Sequence, residues 1–560
     1  MLIMSWNVAG LGTTMNRIHD AYKPPKAAQP SAALQVFLQR HGADIFCVQE
    51  HKIPRSQLSN RTEPRQLSNV EGYESFWSCC VDDNKKGFNG VVTYAKQGTV
   101  RRANAKPLGS PDLDQQGRCV MTDHGSFCLF NVYVPASGGQ PLAYKMKFLN
   151  ALRRAMQRQR NAGKPVILVG DLNISHTARD VYWQSRVVHV DDVLRQVVEG
   201  NPLLPQWKRD VAQHWPLIQR VLDQKEVVPT KTTNSLTNEN YSKYRLCVTV
   251  NDKRVYLGKH ETTPEYCLHY YDFDEATYFD EESGETVVAR EKNAVCVQVL
   301  AELMLKIAGV EWDDATLRLI ATTHATVSCA SPPRKWLTTV LQQDGMVDIF
   351  RHFYPKAEAR FTCWHQFTNR RYVNDGSRID YTLVDRCLVE HVQQGMDALR
   401  CCGSTTDNNP LSEAAALSAV TANGQFRPVS FEGGGIQEAT QVALDTQFGP
   451  PHSGMIYTPP SFSDHIAISL LMQDSILPTN QVLDIKDADT RKTQPHKLQK
   501  SIASFFRQTS ADDSAATSSS NGSRSKYSGL SRFRNTGKTA IVKKKPSVKK
   551  SILDHFQTKK

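Results

Sequence analysis

The chain has no run approaching the roughly 18 continuous apolar residues that a membrane-spanning helix needs, so a helical membrane protein is not expected. Its opening, Met1-Leu2-Ile3-Met4-Ser5-Trp6-Asn7, lacks a basic segment followed by a long apolar one, and a signal peptide is not expected either. No Cys-x-x-Cys spacing occurs among the 13 cysteines, whose odd count includes the adjacent pairs Cys79-Cys80 and Cys401-Cys402. That pattern argues against a disulfide scaffold and a structural zinc site, and fits thiols held in a reducing compartment. What is present is ordinary globular material: 560 residues, 40% hydrophobic and 22% charged. A length prior of roughly 150 residues per domain gives about three or four units, although sandwiches often run to about 250 as one.

Acidic residues are scarce at one end only. Residues 490–560 hold 17 Lys+Arg against 3 Asp+Glu, a net of +14, while residues 1–489 hold 51 against 53, a net of −2. A nearly neutral body with a basic tail points to a polyanion or a nuclear import receptor.

Residues 1–190 alternate apolar runs with helical patterns. The runs Leu2–Ser5, Ile45–Val48, Val91–Tyr94, Phe127–Val134 and Val166–Val169 are rich in β-formers and bounded by turn residues. Ser31–Arg40 predicts a helix with Ser31 as N-cap and Leu34, Phe37 and Leu38 on one side. Leu142–Asn161 carries Leu142, Met146, Leu149, Leu152 and Met156 at helical spacing and stops at Gly163-Lys164-Pro165. That helix also bears Lys145, Lys147, Arg153, Arg154, Arg158 and Arg160, which read as a solvated face or, alternatively, as a DNA-facing strip. From about 190 to 330 the character changes. Tyr244–Val250 and Arg254–Leu257, split by Asn251-Asp252-Lys253, predict a hairpin, and the acidic run from Asp272 to Glu285 fits no calcium loop and reads as a solvated insertion. Strand patterns return from Trp336 to Met472, interrupted by a Gly/Ser/Ala/Thr-rich stretch at about 397–455. Beyond Leu477 the chain is Ser-, Lys- and Gln-rich and is expected to be disordered, because it cannot bury enough apolar area to offset its ordering entropy.

Five apolar strands end in polar residues: Ile3–Asn7, Ile45–Glu50, Val166–Asn173, Ser377–Tyr381 and the Phe462-Ser463-Asp464-His465 segment preceding Ile466–Met472. If such strands end at one sheet edge, Asn7, Glu50, Asp171, Asn173 and Asp464 offer the oxygen ligands a hard cation such as Mg²⁺ prefers. His465 supplies an imidazole, and Asp380 a carboxylate to orient it. An Asp at one strand end is usually a turn or cap residue; five such ends with Asn/Asp/His chemistry throughout are hard to obtain from structure alone.

These segments resemble the exonuclease III family of class II AP endonucleases, within the endonuclease/exonuclease/phosphatase superfamily. The matching pieces are SWNVAGL from Ser5, CVQEHK from Cys47, NVYVPA from Asn131, GDLNISH from Gly170, GSRIDY from Gly376 and SDH from Ser463, in family order. The Phe361-Thr362-Cys363-Trp364 segment and the stretch to GSRIDY look like the AP endonuclease 2 branch. The resemblance implies a DNase I-like four-layer α-β-β-α sandwich over 1–475, with insertions at about 190–330 and 397–455 and a basic tail over 476–560. It implies a metal site of Asn7, Glu50, Asp171, Asn173, Asp464 and His465 for Mg²⁺, with Mn²⁺ able to substitute. It also implies a catalytic set of Tyr133, Asp171, Asn173, Asp380 and His465, and an abasic pocket lined by Cys363, Ser377 and Ile379. Cys363 and Ser377 stand where the major AP endonucleases carry Phe and Trp, which implies a looser pocket. Ala9 stands where many relatives carry an Asp, so one ligand is missing or replaced by water.

Chemically, Asp171 suits a general base, Asn173 a donor to the pentacovalent state, His465 a donor to the scissile phosphate, and Tyr133 a phosphate contact. In the tail, Gln499-Lys500-Ser501-Ile502-Ala503-Ser504-Phe505-Phe506 resembles the motif by which DNA-repair enzymes plug the sliding clamp PCNA, with Gln499, Ile502, Phe505 and Phe506 as the plug. Ile552–Phe556 repeats it imperfectly, and Lys543-Lys544-Lys545-Pro546 reads as a nuclear import signal. The expectation is a monomeric nuclear DNA-repair enzyme acting on duplexes with abasic sites or blocked or recessed 3′ ends. Its activities would be abasic-site incision, 3′–5′ exonuclease and 3′-phosphodiesterase. The alternatives are a sphingomyelinase or inositol phosphatase on the same fold, a retroelement endonuclease, and a clamp-bound scaffold without catalysis.

Overall fold

A computed structural model of the chain describes residues 1–22, 30–59, 67–81, 87–136, 141–200, 203–224, 244–250, 253–259, 266–269, 277–280, 284–288, 294–327, 331–365, 370–395 and 451–476. Two sheets dominate. The first runs, in spatial order, Val392–Gln393, Ala467–Met472, Leu2–Asn7, Ile45–Gln49, Val91–Lys96 and Tyr73–Ser78, with Gly454–Ile456 also paired to Ala467–Met472. The second runs Met346–Asp348, Asp380–Asp385, Val166–Asp171, Cys128–Tyr133, Cys119–Asp123 and Arg102–Asn104.

Period-two alternation sets the layers, because successive strand side chains point to opposite faces. Ile3, Ile45 and Cys47 of the first sheet pack with Phe127, Leu129, Ile167 and Val169 of the second in one apolar layer between the sheets. Leu2, Met4, Trp6, Phe46 and Val48 face the other way, onto Leu34, Phe37 and Leu38 of the helix Pro30–His41. Phe130, Val132, Val166 and Leu168 likewise face Leu149, Leu152 and Met156 of the helix Leu142–Asn161. The result is α-β-β-α. Both central sheets are covered on both faces, which is why their strands read as continuous apolar runs.

The expected helix at Ser31–Arg40 extends one residue further at each end, and the second helix has the expected bounds of Leu142–Asn161. Its basic side chains are largely tied down. Arg153 pairs with Asp344 at 2.8 Å, Arg160 with Asp385 at 2.8 Å and Lys147 with Asp112 at 2.8 Å, while Arg158 donates to the Pro107 carbonyl at 2.8 Å. These contacts stitch the helix to neighbouring elements and favour neither the free solvated face nor the DNA-facing strip.

The segment after Val187 builds an apolar cluster of its own. Val187–His189 pairs with Ala294–Cys296, and Val190–Val198 and Gln206–Gln224 bury Trp207, Val211 and Trp215 against Leu300, Met304 and Ile320. The hairpin forms between Tyr244–Val250 and Lys253–Lys259, with Val250 opposite Lys253. The chain divides into two units, Met1–Ser510 and Ala511–Lys560, and the second lies wholly outside the described residues. So do the Gln499–Phe506 motif, the Ile552–Phe556 repeat, the Lys543–Pro546 signal and most of the 397–455 stretch.

Candidate active site

Strand ends from both sheets meet at one edge. In the first sheet Asn7 pairs in parallel with Gln49, so Asn7 and Glu50 end adjacent strands. In the second, Asp171 lies between Tyr133, its parallel partner, and Asp380, its antiparallel partner. Gly170 permits this approach. It has φ +130°, and a Cβ there would come within 2.1 Å of the Val132 carbonyl oxygen. Three non-glycine residues at the edge, Ala9, Glu50 and Asn173, have left-handed φ of 51°, 53° and 50°. Such conformations cost about 1–3 kcal/mol each and persist where the surroundings over-determine them.

The side chains interlock across the gap between the sheets. The Asn7 amide donates to Glu50 Oε1 and to Asp171 Oδ2, each at 3.0 Å. Asp171 Oδ1 accepts from the Asn173 backbone N–H at 2.8 Å. The Asn173 side-chain amide is taken up by the Val134 carbonyl at 3.0 Å and Asp171 Oδ2 at 3.2 Å, so it is engaged within the protein rather than free for a phosphate. His465 Nδ1 donates to Asp380 Oδ2 at 2.8 Å, and its Nε2 stands 3.9 Å from Asp171 Oδ2. Tyr133 donates to Glu50. Asp464 is half-buried beside His465, with Ser463 donating to its Oδ1 at 3.3 Å.

Cys363 and Ser377 are paired across a two-strand ladder, both half-buried, and Cys363 also bridges to His465. Ile379 is held by its backbone, its N–H donating to Thr362 Oγ1 at 3.0 Å and its carbonyl accepting from Leu172 at 2.9 Å.

Charge follows from burial and neighbours. Burial pushes Glu50 upward, but Lys52 and the hydrogen bonds from Asn7, Lys52 and Tyr133 outweigh it and hold Glu50 below its usual value. Asp171 is raised, by burial first and Asp380 next, against His465. Burial opposes charging of His465, yet Asp380 overrides it and holds the imidazole well above its ordinary pKa. Burial, then Glu50 and Asp171, raises the Tyr133 phenol. Glu50 and Asp171 supply carboxylate oxygens of the kind a hard divalent cation prefers, whereas Asn7 turns its amide N–H toward both and its Oδ1 toward the Ala9 N–H at 3.0 Å. Asp171, Asp380 and His465 also lie within 4.8 Å of one another, all buried.

Several participants were not singled out in the sequence, or, in the case of Lys145, were read there as part of a solvated or DNA-facing strip. Lys52 pairs with Glu50 at 2.9 Å and donates to the Ala9 carbonyl at 3.0 Å; its signal was its place in CVQEHK. Arg118 lies 4.7 Å over the Tyr133 ring, and Lys145, the one buried cation of its helix, donates to the Asn173 carbonyl at 2.7 Å. Gln49 links the sheets, donating to Ser5 Oγ at 2.9 Å and Asn131 Oδ1 at 2.7 Å.

The profile of the Endonuclease/Exonuclease/phosphatase family matches residues 4–222. Human DNA-(apurinic or apyrimidinic site) endonuclease 2 is 24% identical over 456 residues, covering 75% of this chain and 61% of that one. An exodeoxyribonuclease of Bacillus subtilis is 29% identical over 183 residues, covering 32% of this chain and 62% of that one. The chain thus spans under two thirds of the length of either relative. The catalytic domain of APE2 from Xenopus laevis aligns with a TM-score of 0.36 at 20% identity, covering 71% of this chain and 86% of that one. By sequence, the likeness to the endonuclease/exonuclease/phosphatase family spans residues 4–222 of the 560.

Proposed function

We propose that this chain is a divalent-metal-dependent DNA-repair nuclease that incises abasic sites and trims 3′ ends as a 3′–5′ exonuclease and 3′-phosphodiesterase. The observation that carries the reading is Asp171, which accepts hydrogen bonds from Asn7 and Asn173 and stands 3.9 Å from a His465 already held by Asp380. The likeness to an abasic-site endonuclease and to an exodeoxyribonuclease supports it.

Hydrolysis needs a base for the attacking water and donors for the phosphate. Asp171, with its pKa raised, takes the water's proton at Oδ2. Asn7 and Asn173 keep that carboxylate in place. His465, its Nδ1 fixed by Asp380, presents Nε2–H to a phosphate oxygen. Tyr133 and Lys52 orient Glu50. Glu50 and Asp171, joined by the Asn7 amide, would hold Mg²⁺, with Asp464 next to His465 as a further carboxylate, and the ion would supply neutralisation of the charge developing on the phosphoryl oxygens. Tail residues Gln499, Ile502, Phe505 and Phe506 dock the enzyme on PCNA in the nucleus.

Abasic, recessed-3′ and 3′-blocked duplexes, with a lipid phosphodiester as control, test this in parallel with and without EDTA. The DNA substrates should be cut only with Mg²⁺ or Mn²⁺, and Asp171→Asn should lower turnover on all of them by roughly 10²–10⁴-fold, the worth of a positioned base. Near-wild-type turnover in that variant, or cleavage of the lipid alone, would overturn the reading.

A further inference from the structure

Cys363 faces His465 across an isolated antiparallel bridge. The bonds flanking it run from Trp364 N–H to the Asp464 carbonyl at 3.0 Å and from Ile466 N–H to the Thr362 carbonyl at 2.9 Å. That pattern makes Cys363 and His465 a non-hydrogen-bonded pair, the kind whose Cα atoms lie about 4.5 Å apart and whose side chains approach most closely. With Asp464 they form a sulfur, nitrogen and oxygen donor set whose atoms lie within 4.8 Å of one another. Glu50 and Asp171 offer oxygen only. Two donor sets of different softness therefore adjoin at His465, whose Nε2 stands 3.9 Å from Asp171.

We propose that Cys363, Asp464 and His465 form a site for a soft divalent cation of the zinc class, and that its occupancy shuts the enzyme off. Thiolate, imidazole and carboxylate are the three donors zinc accepts together, leaving a fourth position to water. His465 is prepared for this, because its Nδ1 already donates to Asp380 at 2.8 Å, leaving Nε2 for the metal. A carboxylate behind a ligating imidazole is the usual support of a zinc histidine. Ligands about 2.0–2.3 Å from a tetrahedral ion sit roughly 3.3–3.8 Å apart, so the set closes by about an ångström. On binding, two protons leave to solvent, one from the Cys363 thiol and one from His465 Nε2. The Nε2 that would serve the phosphate is then occupied, and a second cation stands beside Asp171. Binding stands apart from the nuclease reading; only the inhibition rests on it.

The test titrates EDTA-treated, dialysed full-length protein with Co²⁺, whose thiolate charge-transfer absorption reports a Cys ligand, and with Zn²⁺ by calorimetry. Wild type should show the absorption and Cys387→Ser should keep it, whereas Cys363→Ser should lose it. Asp464→Asn should weaken zinc by at least the roughly tenfold that losing even an outer partner costs a metal site. Circular dichroism confirms folding of each variant. In Mg²⁺-saturated assays, zinc should inhibit the wild type, and Cys363→Ser should need about tenfold more for half-inhibition. Absence of the absorption in wild type, or its survival in Cys363→Ser, overturns the site. Cys363-dependent binding that leaves turnover unchanged overturns the shut-off. If no variant or wild type cuts DNA at all, the nuclease reading fails while the spectroscopic result stands on its own.

Discussion

Cys363 and Ser377 lie opposite each other, both half-buried, within one bridge of His465. Side chains this small fill less space beside the imidazole than Phe and Trp would, and a less filled pocket would not discriminate between a flipped-out abasic sugar and an ordinary 3′ terminal nucleotide. Replacing them together, Cys363→Phe with Ser377→Trp, should raise abasic incision relative to 3′–5′ exonuclease by roughly 10-fold, the worth of about 1–2 kcal/mol of added apolar contact. The ratio of the two rates on matched duplexes checks this, and an unchanged ratio would remove these positions from the pocket. Gly170 makes a second demand at this scale. With φ +130° and the Val132 carbonyl 2.1 Å from a built Cβ, Gly170→Ala should cost at least about 1–3 kcal/mol in urea unfolding and should lower turnover by displacing Asp171. Polar strand ends were legible in the sequence because each closes an apolar run. Lys52 and Arg118 were not, and Lys145 was read only as one of several surface cations on its helix, since a single cation carries no periodicity and its partner lies far along the chain.

The strand Asp380–Asp385 is positioned by what precedes it. Arg378, 1% exposed, pairs with Asp180 and Asp348, each at 2.7 Å. Asp180 also pairs with Arg351 at 2.6 Å and closes a capping box with Thr177. Burial alone would raise Asp180, but Arg378 and Arg351 hold it far below the usual carboxylate range. A depressed folded-state pKa gives stability that is present above the unfolded value, near 3.9, and is lost as pH falls below it. Asp180→Asn should therefore destabilise the protein by about 3–5 kcal/mol at neutral pH, the cost of breaking a buried pair from one side. It should also flatten the loss of stability below about pH 4, which urea unfolding at several pH values would show. A variant as stable as wild type would mean that the arginines find other partners. Over residues 1–190 the expected helix and strand bounds came within two residues because both sheets are covered on both faces and their apolar runs are unbroken, whereas the strand pattern expected from Trp336 opens on the helix Pro332–Gln342. The Arg378–Asp180 network spans nearly 200 positions, and no local pattern in GSRIDY announces it.

At the scale of the molecule, a body of net −2 carries a terminal segment of net +14. If Gln499–Phe506 plugs the clamp, Phe505→Ala with Phe506→Ala should abolish clamp binding and clamp-stimulated exonuclease while basal hydrolysis of short duplexes stays intact. A tethered plug raises local concentration at the junction and does not reshape the distant site. Equal affinity of labelled clamp for the two proteins would shift the assignment to Ile552–Phe556. Removing residues from about Asp487 onward should weaken DNA affinity and reduce its salt dependence, because fewer counterions are released.

The strand Leu2–Asn7 has its antiparallel neighbour at Ala467–Met472, the last strand of the sandwich. A ribosome delivers Asn7, Glu50 and Asp171 long before it delivers His465, and the first sheet keeps an open edge beside Leu2–Asn7 until the final strand zips in. Non-local closure of this kind is slow. The growing polypeptide thus carries Glu50 and Asp171 without the imidazole that completes them, and, if the chain is the nuclease proposed above, it becomes able to cut DNA only once Ala467–Met472 has been made.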